Sequence, residues 1–452
     1  MKFNQGLMMA LFGAALMHGT AATAAVSQTE AAELGKSLTP LGAEKAGNKD
    51  GSIPAWDGGY TKPISGFKNG GKRDQSPFDG EKPLYTVTAK NMAQYADKLT
   101  EGTKAMLMKH PGYRLDVYPT HRTAAAPQWV YENTAQNAVR AKLDERQVPT
   151  GAYGGAPFPI PKTGAEVVWN HLLRWRGSDS QYDMQSVLVT AEGKPVMTVD
   201  AIGDQTMPYY YKDGSVDTYN GDYWKIKLVN AGPPIRAGEA ILAHANLDSD
   251  KTQAWVYLAG QRRTRKLPNA CCDTPTPSAA GIMTFDEIEV FTGRINLFDW
   301  KLLGKKEILI PYNTNKIYKP TSYAELVGSK HLNPDYVRWE LHRVWVVEAT
   351  LKPGQRHVAP KGTYYFDEDT WNGVLADRYD AKGQIWKTLW QLPVMMPDFP
   401  AVASMTFGFY DLSAGTWFVS STANAKAMQY KQMPRYAPST LAPEALSGGG
   451  LR

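Results

Sequence analysis

From about Gln181 to Ser420, apolar side chains recur at every second position, the period of a strand with one covered face. The run Trp339–Leu351 shows it best: Trp339, Leu341, Arg343, Trp345, Val347, Ala349 and Leu351 share one side, and all but Arg343 are apolar. Comparable runs are Ser186–Met197, Glu239–Leu247, Thr252–Ala259, Glu287–Lys301, Lys305–Tyr312, Thr363–Phe366, Val374–Tyr379, Gln384–Leu392, Met405–Tyr410 and Thr416–Ser420. Turns such as Asp367–Gly373 and Asp380–Gly383 separate many of them. Links that short permit only antiparallel neighbours, because a parallel connection needs a crossover of about a dozen residues or more. The pattern predicts a large meandering antiparallel sheet with several helices, an α+β chain that is mainly β.

The spacing before Gln181 differs. From Ala25 to about Asp79 the chain is rich in Gly, Lys, Asp and Pro, with a short helix-like stretch at Thr29–Leu34, and should wrap over a core. Thr88 can cap a helix whose Met92, Tyr95 and Leu99 share a face; Thr103–Lys109 continues it after Gly102, and a polar helix fits Thr134–Glu145. The strongest helix start is Thr163-Gly-Ala-Glu166, a capping box in which hydroxyl and carboxylate satisfy orphan N–H groups of the first turn. Ala165, Val168, Leu172 and Trp175 then recur at helical spacing, and Asn170 and His171 beside that stripe read as structural.

The first residues carry a targeting pattern. Lys2 precedes an apolar run from Leu7 to Met17, and Ala22-Thr23-Ala24 has the A-x-A form of a signal-peptidase site, which places cleavage after Ala24. A run of about eleven residues is too short to span about 30 Å of hydrocarbon, and no later stretch reaches about eighteen apolar residues. The expected product is a periplasmic protein, secreted through a cleaved signal peptide. The formal charge of +6 is mild and both signs are interleaved, so no nucleic-acid stripe exists. The densest cluster, Arg262-Arg263-Thr264-Arg265-Lys266, reads as a solvated strand end, with contact to anionic lipid headgroups or an acidic partner as the alternative.

Chemistry-bearing motifs are sparse. Cys271 and Cys272 are adjacent, so they cannot staple distant segments, and neither C-x-x-C nor His at ligand spacing accompanies them. Ser65-Gly-Phe-Lys68, Tyr131-Glu-Asn133 and Lys162-Thr-Gly164 match penicillin-binding-protein elements in order, but Ser65 does not open a helix and Lys162-Thr-Gly164 opens one instead of lying on a strand. Asp367, Glu368 and Asp369 could suggest a calcium site but read as a solvated acidic turn. No catalytic residue, metal ligand or cofactor is expected. An outer-membrane barrel is disfavoured by the polar, Gly-rich end Leu446–Arg452 and the helical first third.

Four segments resemble the bacterial domain-of-unknown-function family 1329: Leu38–Gly59, Tyr118–Trp129, Pro157–Gly177 and Asp299–Glu307. The resemblance covers essentially the whole mature chain. It implies the fold of LolA/LolB lipoprotein carriers, a strongly curved antiparallel half-barrel whose concave apolar face is closed by helices, and partners such as an RND-type exporter and an outer-membrane protein. It implies no catalytic residues. The expected organisation is a signal peptide (1–24), a loop-rich and helical region packing on the sheet (25–160), the half-barrel (161–430) and a tail (431–452). Combined with the alternation, the resemblance puts Trp339, Leu341, Trp345 and Val347 on a concave, ligand-binding face, with Trp300, Trp386 and Trp390 as further lining residues. The expected function is a periplasmic carrier or adaptor for a lipid or other hydrophobic molecule. A periplasmic hydrolase on the same scaffold and a structural adaptor of an export complex are the alternatives.

Overall fold

The computed structural model describes residues 26–268, 271–320 and 322–448. The expected signal peptide lies outside them. Thirteen of the sixteen strands of the main sheet form a meander: β1 (Asp179–Val189), β2 (Pro195–Thr206), β3 (Asp222–Gly232), β4 (Ala240–Asn246), β5 (Gln253–Leu258), β6 (Arg263–Lys266), β7 (Phe298–Pro311), β8 (Trp339–Leu351), β9 (Lys361–Asp367), β10 (Gly373–Tyr379), β11 (Ile385–Met396), β12 (Ala401–Asp411) and β13 (Trp417–Thr422). Each pairs antiparallel with its chain neighbour except β6 with β7, and β13 returns to pair with β1. The curved sheet therefore stays open between β6 and β7, and residues 271–297 cross it as a strap. Three short strands complete the sheet. Lys431–Gln432 pairs with β1, and Tyr85–Val87 pairs with Leu115–Val117, which meets β8 in parallel at Trp339.

Three expectations shift. Ser186–Met197 is two strands broken by the turn Thr190–Lys194, where Gly193 takes the left-handed φ of +88°. In Glu287–Lys301 the strand begins only at Phe298. Upstream, Glu289 and Val290 have φ of 51° and 75°, which no strand accommodates. Strand β3 lies outside the expected runs, although Trp224, Ile226 and Leu228 alternate with Lys225 and Lys227.

Helix α1 (Glu101–Lys109) starts afresh on Thr100, whose hydroxyl accepts from Thr103 N at 3.1 Å. The expected Thr88-capped helix is instead a 3₁₀ segment, Met92–Lys98, kinked at Tyr95. Helix α2 (Gln128–Arg140) begins after Pro127, earlier than expected, and stops because Ala141 turns extended into the hairpin Lys142–Leu143/Pro149–Thr150. Helix α3 (Gly164–Leu172) carries the anticipated capping box: Glu166 N donates to Thr163 Oγ1 at 3.3 Å and Thr163 N to Glu166 Oε2 at 3.1 Å. Every residue of α3 is buried, the signature of a core helix. It reaches the sheet at Gly164, where a Cβ would stand 2.7 Å from both Trp300 O and a Val347 methyl.

The two sheet faces are covered differently. On one, Gly102 of α1 packs on Asp377 and Thr388. On the other, α3 and the strap pack against Trp300, Val347, Tyr364, Phe366 and Leu389. His171 belongs to this packing: Gly373 N donates to its Nδ1 at 2.9 Å, and its Nε2 lies 3.2 Å from Phe291 O. Burial drives its pKa well below the ordinary value, so it is a neutral structural residue, as the sequence suggests.

Candidate functional site

The concave face is filled by α3 only along β7–β11. Toward β1–β5 it stays open and forms a groove. Period-two alternation builds the walls: Trp224, Ile226 and Leu228 of β3 and Ile241, Ala243 and Ala245 of β4 point inward, joined by Tyr182 and Met184 of β1 and by Met405 and Phe407 of β12. The opposite faces of these strands are covered, since Ala240 and Leu242 pack against Leu441 and Leu446 of the C-terminal tail. The groove encloses ≈ 150 Å³, and ≈ 1290 Å³ counting the part open to solvent. Ile226, Leu228 and Ile241 remain partly exposed along it.

The strap forms the roof through Met283, Phe285 and Ile288. Asp286, Glu287 and Glu289 of the strap each meet buried basic side chains, and these contacts fix its position. Asp286 bonds Arg378 Nη2 at 2.6 Å and lies 3.0 Å from His357 Nε2; Glu287 takes Lys387 Nζ at 3.0 Å; Glu289 is held by both Arg174 and Arg176, just beyond α3. Burial pushes the Glu289 carboxyl up, but Arg176 and Arg174 outweigh it and hold it at about 2. Asp286 is likewise kept well below the carboxylate range, against burial, by Arg378 and His357. The Arg176–Glu289 pair closes one end of the groove and supplies its charged lining groups.

None of the seven sequence-nominated residues lines this groove. Trp339 and Trp390 border a separate gap of ≈ 20 Å³ beside Thr103 and Met106 of α1. Leu341 is buried in the core of that side, and Val347 lies under Gly164. Trp345 stacks on Trp371 with centroids 6.4 Å apart, under Lys305 at 4.7 Å. Trp300 donates from Nε1 to Ile295 O at 2.8 Å among Phe291, Phe298 and Tyr364. Trp386 reaches Asp411 at 3.1 Å. The strict apolar–lysine alternation on β3 marks a strand with one apolar face, but not a groove wall.

Fold and groove together define an open, mainly antiparallel half-barrel with a helix and a salt-bridged strap on its concave side. The chain belongs to DUF1329, a protein family of unknown function whose model matches residues 86–447. The uncharacterised protein PA3922 of Pseudomonas aeruginosa is 40% identical, with 96% of each chain covered. Similar solved structures include a DUF1329 family protein from Desulfovibrio piger (14% identity, 63% of this chain and 97% of that one, TM-score 0.43). Another is the LolA superfamily protein NE2245 from Nitrosomonas europaea (10% identity, 63% and 100%, TM-score 0.37). Among the described residues no helix is long and apolar enough to cross a membrane.

Proposed function

We propose that the protein is a periplasmic carrier that holds a lipid or another apolar molecule in the groove beneath the strap and moves it between the inner and outer membranes, working with an RND-type exporter and an outer-membrane protein. The observation that carries this reading is the groove itself: apolar side chains of β3 and β4 stand partly exposed in a concavity. Burying a ligand there is worth about 0.8 kcal/mol per CH₂. An enclosed volume of ≈ 150 Å³ suits about one ring, so a full acyl chain requires the strap to lift. The groove lining includes no His, Lys or Cys among the described residues, and its Arg176 and Glu289 are paired with each other. That composition favours holding over hydrolysis, which needs an activated nucleophile beside a base. The test is binding of the apolar fluorophore N-phenylnaphthylamine. Ala243→Trp, which fills the groove, should weaken it by about tenfold or more, a loss of about 1.4 kcal/mol, whereas Trp386→Phe should leave it unchanged. Equal affinity in folded Ala243→Trp would remove the groove from the account.

One end of the groove strands suits a lipid surface. The β3–β4 hairpin tip exposes Ile235 at 90%, the β5–β6 turn exposes Arg262, and Arg263, Arg265 and Lys266 are exposed along the short strand β6 that follows it. The tips are neighbours, since a Cβ on Gly238 would lie 3.4 Å from that of Ala259. An exposed apolar side chain beside a basic strand end fits an anionic headgroup layer, at about 1 kcal/mol per cation near the surface. Cosedimentation with phosphatidylglycerol vesicles should fall with salt and drop sharply in Ile235→Ser combined with Arg262→Glu and Arg263→Glu. Retention of that variant at wild-type level would assign the tips no role in membrane contact.

A further inference from the structure

The turn after β9, Asp367-Glu-Asp369, is not the solvated loop its composition suggests: all three residues are buried. Two have their cations. Glu368 accepts from Arg343 Nε at 2.7 Å and Lys305 Nζ at 2.6 Å, and Asp369 takes a two-pronged Arg122 at 2.7 and 2.8 Å. Asp367 is different. Its Oδ2 accepts from Thr370 N and Oγ1, at 2.9 and 2.6 Å, but its Oδ1 has no hydrogen-bond partner and lies 3.9 Å from His342 Nδ1.

His342 is oriented from behind. Its Nε2 lies 3.0 Å from Glu340 Oε2, a carboxylate that can only accept, so Nε2 carries a proton and Nδ1 is the nitrogen left to face Asp367. Glu340 is fixed in turn by Arg338 and by Asn313 Nδ2 at 3.0 Å. Tyr312 stacks on the imidazole, centroids 3.9 Å apart, and its buried Oη also lacks a partner. Nδ1 and Asp367 Oδ1 thus face each other, too far apart for a hydrogen bond, in a place closed to bulk water. A carboxylate behind the distal nitrogen of a histidine is the usual support of a metal-binding imidazole. Ligand atoms of His342, Asp367 and Asp369 all lie within 4.8 Å of one another, wider than the roughly 3.3–3.6 Å between tetrahedral ligands about 2.0–2.2 Å from one ion, so the carboxylates would draw inward on loading. Asp369 still has lone pairs left after its bonds to Arg122.

We propose that His342, Asp367 and Asp369 bind a divalent transition-metal cation of the Zn²⁺ type, with the Tyr312 hydroxyl beside it. One imidazole with carboxylates selects such an ion over Ca²⁺ or Mg²⁺, which prefer oxygen alone. The ion would join the β9–β10 turn to β7 and β8 at the end of the sheet. Because the site is closed, loading is tested through folding. The mature chain is unfolded with guanidinium and a chelator, then refolded with or without Zn²⁺, and its metal content is measured. About one Zn²⁺ per chain and a higher Tm are expected, and Co²⁺ in its place should show ligand-field absorption. Glu340→Gln should weaken binding by about 10–100-fold, and Asp367→Asn should abolish it and the Co²⁺ spectrum. A folded wild-type chain that takes up no Zn²⁺ or Co²⁺ would overturn the proposal, as would an unchanged Co²⁺ spectrum in Asp367→Asn. If Asp367→Asn does not fold, the wild-type stoichiometry and spectrum decide.

Discussion

Replacing Glu289 by alanine is expected to cost about 3–5 kcal/mol of folding stability, the toll of leaving buried cations unpaired. Glu289 is the shared anion of Arg174 and Arg176, and these three residues are 7%, 2% and 5% exposed. Alanine would strand both guanidinium groups beneath the strap, and Glu289 and Val290 already occupy left-handed backbone there. The strap should loosen first, exposing the groove, so binding of an apolar dye should rise before the sheet melts in urea. Acid should do the same to the wild type. The folded-state pKa of about 2 lies below the ordinary 4.5, so the pairing contributes fully above about pH 4.5 and fades as pH falls toward 2. Urea denaturation at pH 7 and at stepped acid pH checks both, with Glu289→Ala already lacking the acid-sensitive part. A variant within about 0.5 kcal/mol of wild type would mean that the strap is not held this way.

Arg122→Ala should be comparably severe, by about 3–5 kcal/mol. Arg122 binds Asp369 through two nitrogens and also donates to the carbonyls of Glu44, Lys45 and Pro54, at 2.7, 3.2 and 3.3 Å. Arg343 reaches the same segment at Ala46 O. Without Arg122, Asp369 loses the basic side chain that bonds it, and the segment around residues 44–54 loses its clamp. Arg122→Lys should recover only part of the loss, since an ammonium lacks the planar fork. Limited trypsin digestion should then cut near Lys45 and Lys49 in both variants and spare the wild type. Resistance equal to wild type would show that the segment is held by other contacts.

Elements with a local physical cause were readable from the chain. The Thr163–Glu166 capping box placed α3, and alternation in Trp339–Leu351 placed β8, because both signals lie within a few residues. The family-like strings could be recognised, but not what they do. Arg122 in one string holds carbonyls in another, and Asn170 in a third closes on its own Phe158, accepting at 2.8 Å and donating at 2.7 Å. The groove was not legible because alternation marks a covered face without saying what covers it. Trp345 meets Trp371 and Val347 meets α3, whereas Ile226 and Leu228, partly packed on the core, also border the groove. The acidic turn misled for a related reason: its partners Arg122, Lys305 and Arg343 come from distant parts of the chain.

The most direct measurement of the carrier reading is native mass spectrometry of the gently purified mature protein, with analysis of what its solvent extract contains. An apolar molecule bound at about one per chain is predicted, lost on Ala243→Trp and retained in Trp386→Phe. A chain that flies bare, stays bare when offered phospholipid, and behaves identically in both variants would contradict it.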